Sequence, residues 1–116
     1  TPHLIPLTRG ILTTAYATLV GNEWTTSELL ELYREFYRTA PFVVVLDEGE
    51  YPSTKHTCGS NFCHVGLKVD QRTGRVVLLS ALDNLVKGNA GQAVQNMNLM
   101  CGFEETTAIL KPGLLP

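Results

Sequence analysis

The first 20 residues combine an interrupted start with a long run of strand-forming side chains. From Leu4 to Val20 β-branched and aromatic residues dominate, and Pro6 and Gly10 interrupt the run early. This pattern predicts an irregular lead-in followed by a long strand. Both alternating sets of side chains from position 11 to 20 are partly apolar. We therefore expect one face of the strand to meet a helix and the other face to meet a second subunit.

A helix is predicted next, because Thr25 and Glu28 have the spacing of a capping box, in which each side chain bonds the backbone of the other residue. Apolar residues then recur every three or four positions, at Leu29, Leu32, Tyr33 and Phe36. Charged residues occupy most of the positions between them. The pattern is typical of an amphipathic helix from Thr26 to Arg38 that ends before Pro41.

Three shorter apolar runs predict further strands. Phe42 to Leu46 is a continuous apolar run typical of a buried strand, and the polar segment 47–55 predicts an exposed loop. Residues 65–69 alternate between apolar and other side chains, a turn-forming DQRTG sequence follows, and residues 75–79 are again apolar. Together these segments predict a hairpin.

Small residues and amides follow Lys87 and predict a second helix. One face of this helix collects small and apolar residues, at positions 90, 93, 94, 97 and 100 or 101, and Gly102 is placed to cap its end. Gly88 and Gly91 each cost roughly 1 kcal/mol of helix propensity relative to alanine, so we expect close backbone approach there. Residues 104–116 contain two prolines and little periodicity, which predicts an irregular tail.

The predicted order of strand, helix, three strands and helix is typical of an α+β fold. We expect a mixed or mainly antiparallel sheet with helices on one face. The other face of the sheet is then free for dimerisation.

Length and charge narrow the classes of function. The chain has 116 residues, 44% of them hydrophobic, which suits one domain with its own core. A net charge of −2 without a run of basic residues argues against nucleic acid or an anionic membrane as a partner. No apolar stretch approaches the roughly 20 residues of a membrane span. Since the chain begins with Thr1 and a strand-like pattern follows at once, we expect the natural chain to extend upstream.

The segment 80–98 is the most specific candidate site. A strand ends and a helix begins there, and such a junction directs backbone N–H groups toward one point, which suits anions and polar ligands. Lys87 adds a positive charge, and the Asn84 carboxamide complements another amide, such as that of nicotinamide. The alternative is that Asn84 only forms an Asx turn that starts the helix.

Cys58, Cys63 and Cys101 are an odd number of cysteines at low density, which argues against a disulfide scaffold. Zinc is disfavoured, because Cys63 and His64 are adjacent, whereas structural zinc sites usually separate paired cysteines by two to four residues. Cys58 lies two residues after His56 and is a candidate nucleophile. The simpler interpretation is that Cys58 and Cys63 are small buried thiols and that Cys101 belongs to the core.

Five blocks of sequence occur in order along nearly the whole chain. They are PHLIPLTRGILTT, YRTAPFV, GSNFCHVG, DNLVKGNAGQAVQNMN and GFEETTAIL. Together they resemble the N-acetyl-γ-glutamyl-phosphate reductase family. The fourth block also resembles the wider aspartate-semialdehyde dehydrogenase superfamily, and the GSN and PFV blocks favour the member from arginine biosynthesis.

The resemblance implies part of an NADP-dependent oxidoreductase that converts N-acetyl-γ-glutamyl phosphate to N-acetylglutamate 5-semialdehyde and phosphate. In that family a cysteine attacks the acyl phosphate, the thioester accepts hydride, and a histidine transfers protons. The family's G-C-Y-P-T and H-R-H-x-P-E blocks and its glycine-rich Rossmann turn do not occur here. We therefore expect residues 1–103 to be a partial C-terminal catalytic and dimerisation domain, followed by the tail 104–116. The segment should contain no catalytic residue and be inactive alone.

Matched residue by residue, the resemblance implies a cofactor-binding set. Asn84 matches the asparagine that faces the nicotinamide carboxamide, Lys87 and Gly88 match the turn beside it, and Gln92 matches the opening of the family's helix. Arg9 matches the family's R-G-I block near the active site, which implies bidentate binding of a substrate carboxylate or phosphate. A surface or interface salt bridge is the alternative for Arg9. No metal site is implied.

The resemblance also implies partners and a location. NADP would bind only together with the N-terminal half of the enzyme, and the sheet would form a homodimer or homotetramer. The enzyme would be cytoplasmic, or located in a plastid or mitochondrion of a eukaryote. Two alternatives stay open: a non-catalytic oligomerisation or regulatory module, and a thiol enzyme that uses Cys58 with His56. Asn89 departs from the alanine of the family, which puts the close packing at that position in doubt.

Overall fold

A computed structural model of the chain describes residues 3–21 and 23–114. In chain order, its elements are β1 (Ile11–Thr18), α1 (Thr26–Phe36), β2 (Val43–Val45), α2 (Thr54–Thr57), β3 (Cys63–Asp70), β4 (Arg75–Leu82), a single-turn π-helix (Val86–Ala90) and α3 (Gly91–Met100). The predicted order of the main elements is confirmed, and α2 and the π-helix add to it. The predicted tail is described as far as residue 114 and, to that point, contains turns but no further helix or strand.

The four strands form one mixed sheet in the order β1-β4-β3-β2. β4 pairs antiparallel with β1 on one side and with β3 on the other. The pairing with β1 runs without interruption from Ile11 opposite Leu82 to Thr18 opposite Arg75. β2 lies parallel to β3 at the far edge. This arrangement confirms the predicted α+β fold.

Helix α1 contributes Leu29 and Leu30 to the core and packs them on the sheet. Thr25 and Glu28 form the predicted capping box, in which the Glu28 backbone N–H donates to Thr25 Oγ1 at 3.2 Å. Leu29 and Leu30 pack on buried side chains of β3 and β4, namely Leu67, Val69 and Val76. The predicted apolar stripe is wrong at its outer end, because Leu32 and Phe36 are exposed and Leu30 takes the inner position. The helix also ends at Phe36, two residues earlier than predicted.

Residues 50–57 cover part of the sheet face opposite to α1. A Cβ on Gly66 would lie 3.1 Å from Pro52 Cδ and 3.2 Å from the carbonyl oxygen of Glu50, so the segment passes close over β3. Pro52 is buried, and the prediction of an exposed loop over 47–55 is wrong at this position. The segment packs down because glycine leaves room for it.

Helix α3 buries the face opposite to the one that was predicted to be buried. Its buried residues are Gly91, Gln95 and Asn98, whereas Met100 is 86% exposed and Cys101 is exposed as well. The predictions of an apolar inner face and of Cys101 in the core are therefore wrong. Hydrogen bonds to the amides, described below, decide the inner face instead of apolar burial. The predicted cap is present, since Gly102 has φ +74° after the last turn.

Candidate functional site at the strand-to-helix junction

Asp83 organises the junction between β4 and the π-helix, and sequence reasoning missed it. The carboxylate is 0% exposed and accepts four hydrogen bonds. Its Oδ1 accepts from the backbone N–H groups of Leu85 at 2.7 Å and Val86 at 3.1 Å. Its Oδ2 accepts from the Gly59 N–H at 2.6 Å and from Arg9 Nη1 at 3.2 Å. The Asx turn assigned to Asn84 is thus formed by the residue before it, and an aspartate directly ahead of a helix start was the available signal.

The surroundings of Asp83 favour its ionised form. Burial by itself raises the pKa of the carboxyl group. The hydrogen bonds from Gly59, Leu85 and Val86, together with the charge of Arg9, outweigh this effect and lower the pKa below its ordinary value. Asp83 is therefore a buried carboxylate that joins three separate parts of the chain.

Asn84 connects the junction to the lead-in. Its Oδ1 accepts a hydrogen bond from the Gly10 backbone N–H at 2.7 Å, across 74 positions of sequence. Gly10 has φ +114°, and a Cβ there would lie 2.6 Å from Thr54 Cβ, so only glycine fits. The structure therefore brings the predicted residues Arg9 and Asn84 together at one end of the sheet.

The side chain of Lys87 is half-buried and extends toward the buried residues Gln95 and Phe42. Its Nζ donates to Gln95 Oε1 at 2.7 Å and lies 5.5 Å from the centre of the Phe42 ring. Burial lowers the pKa of Lys87, and the nearby Cys63 and Glu105 counteract part of that shift. The ammonium group holds the π-helix against the domain.

Gln95 and Asn98 continue this polar network, and sequence reasoning missed both. Gln95 Oε1 also accepts from Asn61 Nδ2 at 2.9 Å, and Gln95 Nε2 donates to Glu105 Oε1 at 2.5 Å. Asn98 Nδ2 donates to the carbonyl oxygens of Glu105 at 3.1 Å and Thr107 at 3.0 Å. The spacing of three between these amides was a signal that they share a helix face. The network joins α3 to Asn61, to the π-helix and to the start of the tail.

The glycines of the junction differ in how much space surrounds them. A Cβ on Gly91 would overlap Asn61 Oδ1 and lie 2.8 Å from both Val86 Cγ1 and the Val86 carbonyl oxygen. The expected close approach is confirmed at this position. A Cβ on Gly88 would meet its nearest atoms at 3.4 Å, which is ordinary contact. Gln92 donates to Asn96 Oδ1 at 2.9 Å, a bond within α3 itself.

The surroundings of Cys63 and His64 disfavour the charged form of each side chain. Cys58 and Cys63 are half-buried, and burial raises the pKa of the Cys63 thiol, which disfavours its thiolate. Burial also disfavours the charged form of the His64 imidazole, and it therefore lowers the pKa of His64. Within residues 3–21 and 23–114, no three histidine, cysteine or acidic side chains are grouped to hold a metal ion. None of the helices in those ranges has the length and apolar character that a membrane crossing requires.

Comparison with known proteins shows which protein family the sequence matches. The family model described as the dimerisation domain of semialdehyde dehydrogenases matches residues 1–84. The chain belongs to this family. As a semialdehyde dehydrogenase dimerisation domain, it is 60% identical over 116 residues to the N-acetyl-gamma-glutamyl-phosphate reductase of Geobacter metallireducens and 59% identical to that of Moorella thermoacetica. The resemblance drawn from the five sequence blocks is confirmed.

The same comparisons show how much of the relatives this dimerisation domain represents. The alignment with each of the two reductases includes the whole of this chain, but the chain spans only 33% of the length of each reductase. Its fold is similar to that of aspartate semialdehyde dehydrogenase II from Vibrio cholerae, with a TM-score of 0.67 and 17% sequence identity. That match covers 84% of this chain and 29% of the solved one. The semialdehyde dehydrogenase dimerisation domain therefore corresponds to a segment of these larger enzymes.

Proposed function

We propose that this domain works as one part of an NADP-dependent reductase that converts N-acetyl-γ-glutamyl phosphate to N-acetylglutamate 5-semialdehyde and phosphate. The observation that carries the proposal is the 60% identity, over the whole chain, to a protein named as this reductase. The hydrogen bond between Gly10 and Asn84 supports it, because it joins two of the blocks that resemble the family. In this proposal the nucleophilic cysteine and the proton-transferring histidine lie upstream, and the enzyme works in the cytoplasm, or in a plastid or mitochondrion of a eukaryote.

The reduced cofactor, NADPH, would supply the hydride of this reaction when bound. The Asn84 side chain would bind the amide of its nicotinamide ring through one half of its own amide group. Asn84 Oδ1 already accepts from the Gly10 N–H at 2.7 Å. Nδ2 remains as a donor for an amide carbonyl oxygen. Because Lys87 bonds Gln95, we assign Lys87 to positioning the π-helix beside Asn84, with Gly88 in the turn and Gln92 at the helix opening. Arg9 stays a candidate for the substrate's anionic group.

A complementation assay tests the proposed reaction. The chain alone is expected to show no phosphate-dependent reduction of NADP with N-acetylglutamate semialdehyde, and a mixture with the separately expressed upstream half is expected to be active. In the mixture, Asn84→Ala should lower kcat/KM about tenfold, the value of one lost hydrogen bond to the cofactor. Asn89→Ala, a substitution of an exposed residue of the π-helix, is the control and should leave kcat/KM unchanged.

The outcomes separate the alternatives. Activity of the chain alone, abolished by Cys58→Ala, would mean that the nucleophile is here and that the proposed division of the enzyme is wrong. An inactive mixture in which the two halves nevertheless bind each other would support a non-catalytic oligomerisation module. Unchanged kinetics of Asn84→Ala would remove Asn84 from the cofactor site.

Dimerisation through the sheet is the second part of the proposal. All eight residues of β1 are exposed and none is charged, and β1 lies within the segment that matches the dimerisation-domain model. Leu12 and Tyr16 are exposed on the same face as Val77 and Leu79 of β4, because directly paired and alternate residues share a face. An exposed apolar strip of this kind marks a protein interface.

Tyr16→Glu is expected to raise the dissociation constant of the dimer at least about tenfold, because it would bury an unpaired carboxylate in the interface. Sedimentation equilibrium over a range of protein concentrations measures the change. Leu32→Glu is the control, since Leu32 is also a large exposed hydrophobic residue but lies on α1. A wild-type chain that stays monomeric at high concentration, or an equal loss in both variants, would contradict dimerisation through this face.

A further inference from the structure

Helix α3 has an apolar face that is exposed. This face, here called the α3 stripe, consists of Ala93, Met97 and Met100. Met97 is 49% exposed and Met100 is 86% exposed. The four- and three-residue spacing of the stripe places it on one side of the helix, opposite to the buried amides Gln95 and Asn98. A helix that packs only on its own domain has the reverse arrangement, with apolar residues inside and polar residues outside.

The segment around the α3 stripe also lacks charge. Residues 88–103 contain no aspartate, glutamate, lysine or arginine. The outer face of a surface helix usually carries charged side chains. Depletion of charge and enrichment in methionine are instead typical of the centre of a protein interface. Phe103, directly after the cap of the helix, is exposed and adds further apolar surface at this end. The stripe therefore has the composition of an interface.

Three observations favour the upstream half of the reductase as the occupant of the stripe over a second copy of this domain. The match to the dimerisation-domain model ends at residue 84, so β1 lies inside it and α3 lies outside it. The chain spans only 33% of the length of its reductase relatives, so most of such an enzyme is available to cover the stripe. The π-helix leads from Asn84 into α3, so a cofactor that the upstream half holds at Asn84 brings that half beside the stripe.

We propose that the α3 stripe is the docking surface for the upstream half of the same enzyme, and that its two methionines are buried there against an uncharged, apolar surface. The identity of the occupant rests on the proposed function, whereas the exposure and composition of the stripe do not. Methionine side chains are flexible and can fit an irregular apolar surface. Docking here also holds Asn84 against the half that binds the cofactor, because the π-helix joins Asn84 to α3.

Methionine oxidation tests the proposal, because the two methionines of the chain, Met97 and Met100, both lie on the stripe. Hydrogen peroxide transfers one oxygen atom to an accessible methionine sulfur, which becomes the sulfoxide, and is itself reduced to water. In this chain alone both residues are expected to oxidise readily. In the continuous polypeptide that includes the upstream half, peptide mass spectrometry should show both oxidations slowed at least about tenfold, because the sulfurs become accessible only when the contact opens.

Arg72→Met is the control for this measurement. It introduces an exposed methionine in the hairpin turn, at the other end of β4 from the junction with the π-helix and α3. Its oxidation rate should be the same in this chain alone and in the continuous polypeptide. Slower oxidation at position 72 as well would mean that the protection is not specific to the stripe, and this would overturn the proposal.

Met100→Glu tests the same contact through affinity. It should weaken binding of this chain to the separately expressed upstream half at least about tenfold, because it would bury an unpaired carboxylate. Arg72→Glu introduces the same carboxylate in the hairpin turn and should leave the affinity unchanged. Because Met100 is exposed, its variant is expected to fold, and comparison of its circular dichroism spectrum with that of the wild type checks this.

Protection of both methionines, together with weaker binding of Met100→Glu but not of Arg72→Glu, would support the proposal. Equal oxidation rates of the two methionines in both proteins, or equal effects of the two glutamate variants, would overturn it. A higher dimer dissociation constant of the Met100→Glu chain alone would assign the stripe to a second copy and would also overturn it. Since neither measurement requires turnover, failure of the docking surface is distinguishable from failure of the proposed reaction.

Discussion

Asp83→Ala is expected to lower the free energy of unfolding by about 3 kcal/mol, one of the two largest effects that we predict for a single substitution in this domain. The carboxylate is fully buried and accepts hydrogen bonds from three backbone N–H groups and from Arg9. Alanine would leave these donors without an acceptor, at the point where the lead-in, the turn at Gly59 and the π-helix meet. Urea denaturation measures the loss. Asp83→Asn keeps the shape and one acceptor oxygen, so its loss should be smaller.

The effect of Asp83 should also depend on pH. Its folded-state pKa is lower than the ordinary value of 3.8, so its contribution to stability is present above about pH 4 and is lost as the pH falls through the folded-state pKa. The difference in stability between wild type and Asp83→Ala should therefore shrink in acid. Asp47→Ala is the control, because Asp47 pairs with Arg34 at an exposed site and should contribute at most about 1 kcal/mol. If Asp83→Ala and Asp47→Ala lowered the free energy of unfolding equally, the buried Asp83 carboxylate would not be important for stability.

Gly91→Ala is expected to destabilise the domain by about 1–3 kcal/mol, because the new methyl group has no space. Its Cβ would overlap Asn61 Oδ1 and lie 2.8 Å from the carbonyl oxygen of Val86, which accepts the hydrogen bond of the Gly91 N–H. Relief requires the π-helix or Asn61 to move, and Asn61 is part of the network around Gln95. Thermal unfolding followed by circular dichroism measures the loss.

Gly88→Ala is the matched control for this prediction. The same methyl group at position 88 would meet its neighbours at 3.4 Å or more, and alanine has the higher helix propensity. Its effect should stay within about 1 kcal/mol in either direction. If Gly91→Ala were as well tolerated as Gly88→Ala, the close approach at the junction between the π-helix and α3 would not be a determinant of the fold.

Local sequence patterns predicted the main helices and strands, because helix capping and turn formation depend on residues within a few positions of each other. The capping box of Thr25 and Glu28 places the start of α1 correctly, and the DQRTG turn places the hairpin of β3 and β4. Gly102 ends α3 in the left-handed conformation that its position predicted. The same reasoning could not find the short helix α2. A four-residue helix has too little periodicity to be recognised, and it forms where the segment packs on the sheet.

The sequence predicted a candidate site in segment 80–98, but it did not predict the hydrogen bonds that Asp83 and Asn84 form there. The sequence D-N at 83–84 offers two side chains that can form an Asx turn, and no local rule chooses between them. The choice depends on Gly59 and Arg9, which donate to Asp83, and on Gly10, which donates to Asn84. These partners lie 24 to 74 positions away.

The sequence by itself determined the α+β class, the main helices and strands, the capping of both long helices and the family to which the chain belongs. Only the tertiary structure decided which face of α3 is buried, where the charge of Lys87 points and which acid organises the junction. Periodicity reports apolar burial, whereas α3 is held by hydrogen bonds of its amide side chains. Gln95 accepts one of these bonds from Asn61, which lies 34 positions away. A hydrogen bond between residues far apart in sequence leaves no periodic pattern, so it becomes visible only when the folded chain brings its donor and acceptor together.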